Sequence, residues 1–236
     1  MAVNTRTEFA SGHTRARWVV TLLAFTIVLT LVAMASQAAE IELLNRALAG
    51  ELITEAEAQS NDERQTLVGV VQIVVLLITA VVFLMWVYRV RKNLSALGAT
   101  NLKHSPRWAV AAFLVPIVNL SRPVSVMQEV WKASDPHAVE DGSWQKARSP
   151  RLVELWWGLF AAAEMIDGFV ARTSMRGEQS ISSLTAFSWV SLVTDLMELV
   201  AAALAILVVR AIDARQEAKH RRMAVPSARQ DYVSIG

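Results

Sequence analysis

Residues 67–88 read LVGVVQIVVLLITAVVFLMWVY. The stretch holds no charged side chain. As a helix rising 1.5 Å per residue it is about 33 Å long, which matches the hydrocarbon core of a bilayer. Its polar residues Gln72 and Thr79 stand two helical turns apart on one face. Working outward, three further apolar runs of comparable length occupy 18–36, 152–171 and 184–209, and a shorter one occupies 108–120. The chain is 54% hydrophobic and 19% charged, against about 25% charged for an ordinary soluble domain. The charges collect between the runs. No alternating apolar pattern of membrane-barrel strands is present, so helices are the spanning option left. The expected fold is all-α: an integral membrane helical bundle of four transmembrane helices plus a cytoplasmic-side re-entrant or interfacial helical hairpin.

Cytoplasmic loops are enriched in Lys and Arg. With the N-terminus inside, nineteen of the 23 bases fall on the inner side, in 1–17, 89–151 and 210–236. Only Arg46, Arg64, Arg172 and Arg176 fall outside, in the loops 37–66 and 172–183. Tryptophans agree: Trp18, Trp86, Trp108, Trp131, Trp144, Trp156 and Trp157 stand near the inner interface and Trp189 near the outer one, where indole is favoured. The expected location is therefore an inner cell membrane, with both termini cytoplasmic. A cleaved signal peptide ending at Ala33-Met34-Ala35 is the competing reading of 18–36; its apolar stretch is long for that, which favours a retained anchor. The acidic loop 37–66 carries Ile41, Leu44, Leu48 and Leu52 at helical spacing, so an amphipathic helix lying on the membrane or the bundle is expected there.

The inner segment 89–151 is the most patterned part. Trp86, Tyr88, Arg89, Asn93 and Leu94 form W-x-Y-R-x-x-x-N-L; Pro106, Trp108, Ala109 and Val110 form P-x-W-A-V. Pro116, Asn119 and Pro123 belong to P-I-x-N-L-x-x-P, with Arg122 beside the last proline. Glu129, Trp131, Ala133, Ser134 and Pro136 form E-x-W-x-A-S-x-P. Pro116 breaks a short apolar helix and Pro123 opens the next. The expectation is a helical hairpin over 106–134, with full crossing of 108–130 as the alternative that the charge distribution disfavours. These residues, over 62–209, resemble a bacterial family of multi-pass membrane proteins known only as a domain of unknown function. The resemblance implies a bacterial cell-membrane protein and assigns no activity. Trp86, Tyr88, Arg89, Asn93, Pro106, Trp108, Pro116, Asn119, Arg122, Pro123, Glu129 and Trp131 are the candidate interaction segment, for a membrane-protein partner, a second copy of the chain, or lipid.

Carboxylates inside apolar runs are costly and therefore candidates for function. Glu164 and Asp167 lie in the third run, Asp195 and Glu198 in the fourth, each pair three residues apart on one face. Ser188, Ser191, Ala202 and Ala205 continue one stripe, and Trp157, Ala161, Gly168 and Ala171 the other. Small and polar stripes let membrane helices approach closely, so the two are expected to face each other. The favoured reading is that protonated acids hydrogen-bond across the helices and fix their register, or that Asp167 pairs with Arg172 or Arg176. The alternative is a proton or cation site that Gln72 and Thr79 could complete.

Other chemistry is missing. The chain has no cysteine, which excludes disulfides, thiolate catalysis and Cys-ligated metal. No H-E-x-x-H, G-x-S-x-G, P-loop or G-x-G-x-x-G occurs. His13, His104, His137 and His220 all fall outside the spans. Neither a cofactor, a resident metal nor an enzymatic activity is expected. The pI near 9.2 reflects bases beside apolar runs, including Lys219 to Arg222, so anionic lipid headgroups and not nucleic acid are the expected partner. A membrane scaffold acting through the hairpin is the favoured function; a proton- or cation-linked transporter or sensor is the alternative.

Overall fold

The computed structural model describes residues 8–138, 142–175 and 180–224. Parts of four expected segments lie outside the described residues: 1–7 of the N-tail, 139–141 of the inner segment, 176–179 of the outer loop with Arg176, and 225–236 of the basic tail. Among the described residues there are no strands. The helices are α1 (His13–Leu48), α2 (Glu55–Ala96), α3 (Pro106–Leu114), α4 (Arg122–Ala133), α5 (Leu152–Ser174) and α6 (Ile181–Ala224), with 3-10 turns at Val118–Leu120 and Ser143–Lys146.

α1, α2 and α6 are long and apolar enough to cross a membrane. Neither α1 nor α6 contains an interior glycine or proline, which lets both run unbroken. In the most apolar stretch of α2 only 6% is buried within the protein, and Ile73, Leu77 and Val81 are 58–60% exposed. Each such side chain left in water forgoes roughly 1.5–3 kcal/mol of transfer energy. A lipid surrounding removes that penalty. α5 has 23 residues, but Glu154, Glu164, Asp167 and Arg172 leave every 18-residue stretch of it with three charges.

The helix ends depart from the apolar runs. The acidic segment does not form a separate surface helix: α1 continues through it to Leu48, burying Ile41, and Leu52 is 95% exposed in the turn that follows. That turn is a Schellman closure at Gly50 (φ 83°), with Gly50 N–H donating to the Ala47 carbonyl and Glu51 N–H to that of Arg46. α2 then begins well before residue 67. Thr54 and Glu57 cap it reciprocally, Glu57 N–H donating to Thr54 Oγ1 (3.3 Å) and Thr54 N–H to Glu57 Oε2 (2.9 Å). Arg46 donates to both Glu51 (2.8 Å) and Glu57 (3.2 Å), tying the turn shut. The Thr54 hydrogen bonds, reinforced by Arg46, hold the Glu57 carboxyl below its ordinary value.

Contacts divide the chain into two compact units. One comprises 1–19, 82–153 and 207–236; the other comprises 20–81 and 154–206.

In the second unit, Glu40 of α1 is a polar hub that the sequence reading did not single out. It accepts from Gln65 of α2 (2.8 Å), Gln37 (3.0 Å) and Ser188 of α6 (3.3 Å), while Ser36 donates to Gln65 (3.1 Å).

In the first unit, α3 and α4 pack on each other. Neither is long enough to be a crossing helix, so the uninterrupted crossing of 108–130 is not formed. Ser105 caps α3, accepting from Trp108 N–H (3.2 Å), with Pro106 in the first turn, and Pro123 holds the same position in α4. Ile117, between them, has φ 69° and ψ −47°, and Val118 N–H donates to the Pro116 carbonyl at 2.8 Å. This is a γ-turn of the strained, positive-φ kind, costing on the order of 1–3 kcal/mol at a β-branched residue.

Candidate functional site

The patterned residues of the first unit turn inward. Trp86, Val87, Val90 and Leu94 of α2 are fully buried, as are Val126, Met127 and Val130 of α4 and Ile212 of α6. Into this core α4 brings Glu129, whose carboxylate lies 3.3 Å from Arg91 Nε; the two side chains are 5% and 4% exposed. At Arg91 Nε, which has no hydrogen-bond partner among the described residues, the contact is Coulombic. A buried pair repays desolvation only if further groups satisfy it. Here the backbone N–H groups of Lys103 (2.7 Å) and His104 (3.4 Å) donate to Glu129. Burial pulls the Arg91 guanidinium down from its ordinary value even with Glu129 opposing it.

Asn93 forms a second node. Its Nδ2 donates to the Ala10 carbonyl (2.9 Å) and to Gln216 Oε1 (3.1 Å), and Arg89 Nε also donates to Ala10 (3.1 Å). Gln216 in turn donates to the Val90 carbonyl (2.9 Å) and to Ser134 Oγ (3.1 Å). Lys219, 1% exposed, caps α4 by donating to the Ala133 carbonyl at 2.9 Å. Arg215 pairs with Asp135 (3.1 Å) and lies 5.0 Å from the Trp131 ring centroid, a cation–π distance. The C-terminal half of α6 is thus a packed strut. The expectation that Lys219 lies on lipid headgroups is overturned, because its ammonium serves as a helix cap inside the fold; burial lowers its affinity for the proton.

The candidate interaction segment is accordingly corrected. Trp86, Asn93, Pro123 and Glu129 are buried and cannot meet a partner; Arg89, Pro106, Asn119 and Trp131 are half-buried. Tyr88, Trp108, Pro116 and Arg122 remain exposed. The tryptophan belt thins likewise, since Trp144, Trp156 and Trp157 are buried and only Trp18, Trp108 and Trp189 are well exposed. Hydropathy could not separate these cases, because a core indole and an interfacial one read alike.

His104 and His137, which flank the hairpin, do not meet. His104 Nε2 contacts Ser125 Oγ (3.3 Å), and His137 lies beside Arg222 (3.2 Å). Burial lowers the His104 imidazole from its ordinary value of 6.5; Arg91, Arg122 and Lys103 push the same way, against Glu129. The native state therefore binds this proton less readily than the unfolded chain. Its contribution to stability is complete above 6.5 and is lost as pH falls from there through the lowered value. His104→Gln is expected to remove part of the stability loss seen below pH 6.5 in detergent-solubilised protein. Identical pH profiles for the variant and the parent would refute that linkage.

The four candidate carboxylates belong to the second unit. Asp167 of α5 accepts from Thr194 Oγ1 of α6 at 2.7 Å, so Thr194, which the stripe did not include, is a residue of α6 that meets α5. Asp195 has the Gln72 amide of α2 as its hydrogen-bonding neighbour, and Glu198 lies within the electrostatic reach of Glu164, Asp167 and Asp195. Glu164 is exposed on its helix. Thr79 donates to the Val75 carbonyl of its own helix (2.7 Å) and does not complete the cluster. Among the described residues no three carboxylates or imidazoles come together closely enough to hold a metal ion.

Comparison with known families gives one match: the family described as Domain of unknown function (DUF4328) covers residues 49–214. The matched region takes in the Gly50 turn, the α2 cap and the start of the packed inner part of α6, beyond the 62–209 suggested by the sequence pattern. No curated protein and no solved structure matches the chain.

Proposed function

The chain belongs to this family of unknown function, and from that premise we propose that it is a four-span bacterial cell-membrane protein acting as a non-enzymatic scaffold. Its cytoplasmic-side module, the first unit, offers the hairpin α3–α4 to lipid or to a membrane-protein partner. The observation that carries this reading is the division of labour among the patterned residues. Trp86, Asn93, Glu129 and Ser134 hold helices together, which leaves a rigid hairpin whose exposed residues include Trp108, Pro116 and Arg122. α5 supplies the fourth span despite its charges, since Asp167 has a hydroxyl partner in Thr194. The inner-side excess of Lys and Arg supports cytoplasmic termini.

The absence of native cysteine makes the test direct. Single cysteines at Ser95 and Gln145 are expected to react with a membrane-impermeant maleimide only after permeabilisation, and those at Gln59 and Ser182 in intact cells. Labelling of Gln145 in intact cells would reverse the topology. A photoreactive side chain at Trp108 is expected to trap a stoichiometric lipid or protein neighbour; its failure to trap either contradicts the scaffold. Ion-linked transport through Asp195 and Glu198 has narrower support, namely Gln72 beside Asp195 and Thr194 on Asp167.

A further inference from the structure

The turn between α3 and α4 displays its largest apolar side chains outward. Ile117 is 83% exposed, Leu114 63% and Leu120 48%. No charge occurs from Trp108 to Ser121, and exposed Arg107 and Arg122 stand at its two ends. Five of the six backbone N–H groups from Val115 to Ser121 donate within the hairpin. Val115 N–H donates to the Ala111 carbonyl (3.0 Å), Val118 to Pro116 (2.8 Å), Asn119 to Val115 (3.0 Å), Leu120 to Ile117 (3.3 Å) and Ser121 to Val118 (3.3 Å). Pro116 has no N–H to satisfy. Each backbone group paired in this way removes part of the cost of placing irregular backbone near hydrocarbon, where an unpaired one costs several kcal/mol.

Depth is fixed by one contact. Phe113, the last residue but one of α3, meets Phe83 of α2 edge-on, ring centroids 5.4 Å apart. Phe83 lies inside the apolar run 67–88, about 7.5 Å membrane-ward of Tyr88 at helical rise. The turn that follows Phe113 therefore stands beside a part of α2 that lipid surrounds.

We infer that residues 114–120 form a wedge inserted into the bilayer, with Leu114, Ile117 and Leu120 among the acyl chains and Arg107 and Arg122 at anionic headgroups. This rests on the membrane reading above and names lipid, not protein, as the partner of the hairpin tip. The γ-turn at Ile117 has a use in this setting, because it aims a β-branched side chain away from the module at the point of deepest insertion.

The test uses the full chain in vesicles of phosphatidylcholine and phosphatidylglycerol, with a nitroxide on a single cysteine at Ile117, Leu120, Leu77 or Gln145. Collision with oxygen reports lipid, and collision with a nickel chelate reports water. Oxygen is expected to exceed the chelate several-fold at Ile117 and Leu120, as at Leu77, and the order is expected to reverse at Gln145. Chelate access at Ile117 and Leu120 with Leu77 still in lipid overturns the wedge and spares the membrane reading. Chelate access at Leu77 as well overturns both. Shielding of Ile117 and Leu120 from both reagents means that protein covers the tip, and also overturns the wedge.

Discussion

Replacing Glu129 by alanine is expected to destabilise the first unit by about 3–5 kcal/mol, since removing one partner leaves a buried charge uncompensated. Arg91 would remain 4% exposed with its anionic partner Glu129 gone. The N–H groups of Lys103 and His104 would lose their acceptor as well, at about 1–3 kcal/mol for each buried donor left unpaired. The double change Arg91→Met with Glu129→Leu is expected to recover much of the loss, because no charge is then left in the core. Denaturant unfolding in detergent, followed by tryptophan emission, reads both. A single variant as stable as the parent would show that Glu129 reaches water.

The second large effect concerns Trp86, which is 0% exposed and touches Phe83 with ring centroids 5.6 Å apart. Trp86→Ala is expected to cost about 3–5 kcal/mol, the range for deleting a fully packed aromatic. Trp86→Phe is expected to cost much less, since the Trp86 indole N–H has no hydrogen-bond partner to lose. Trp108→Ala, at 44% exposure, is expected to change stability by less than about 1 kcal/mol, as surface substitutions do. Equal losses at Trp86 and Trp108 would mean that both indoles sit at the membrane interface and that the core has been misread.

Lipid writes its requirement into sequence as long uncharged runs, so the apolar centres of α1, α2 and α6 are legible at a glance. Their ends are not. α2 begins at Glu55 because Thr54 and Glu57 cap it, a local signal that is readable but easily lost in an acidic loop. α6 continues to Ala224 for a non-local reason. Its polar inner half is held by Asn93 and Ser134, 123 and 82 residues away, and Lys219 by Ala133. Periodicity can place a residue on a face but cannot say what the face meets. That is why Lys219 read as a headgroup contact and Trp86 as an interfacial anchor. The carboxylates show the same limit. The spacing of Asp167 and Glu164 put both on one face of α5, yet the partner of Asp167 across the helices is the uncharged Thr194. For the hairpin, the prolines announced the break correctly. The γ-turn that shapes its tip lies on an isoleucine, where nothing in the residue type announces a positive φ.

Residues 86–136 build one packed module from their patterned side chains, and α4 is the element whose stability depends on it most. A helix of 12 residues has little stability of its own in water, so protection of its amides must come from Glu129, Val126 and Val130 being buried. Hydrogen exchange of the full chain in lipid, read by mass spectrometry on peptides covering Arg122–Ala133, measures that protection. Exchange as slow as in the inner part of α6, around Ile212, is the expected result; complete exchange within seconds would contradict it.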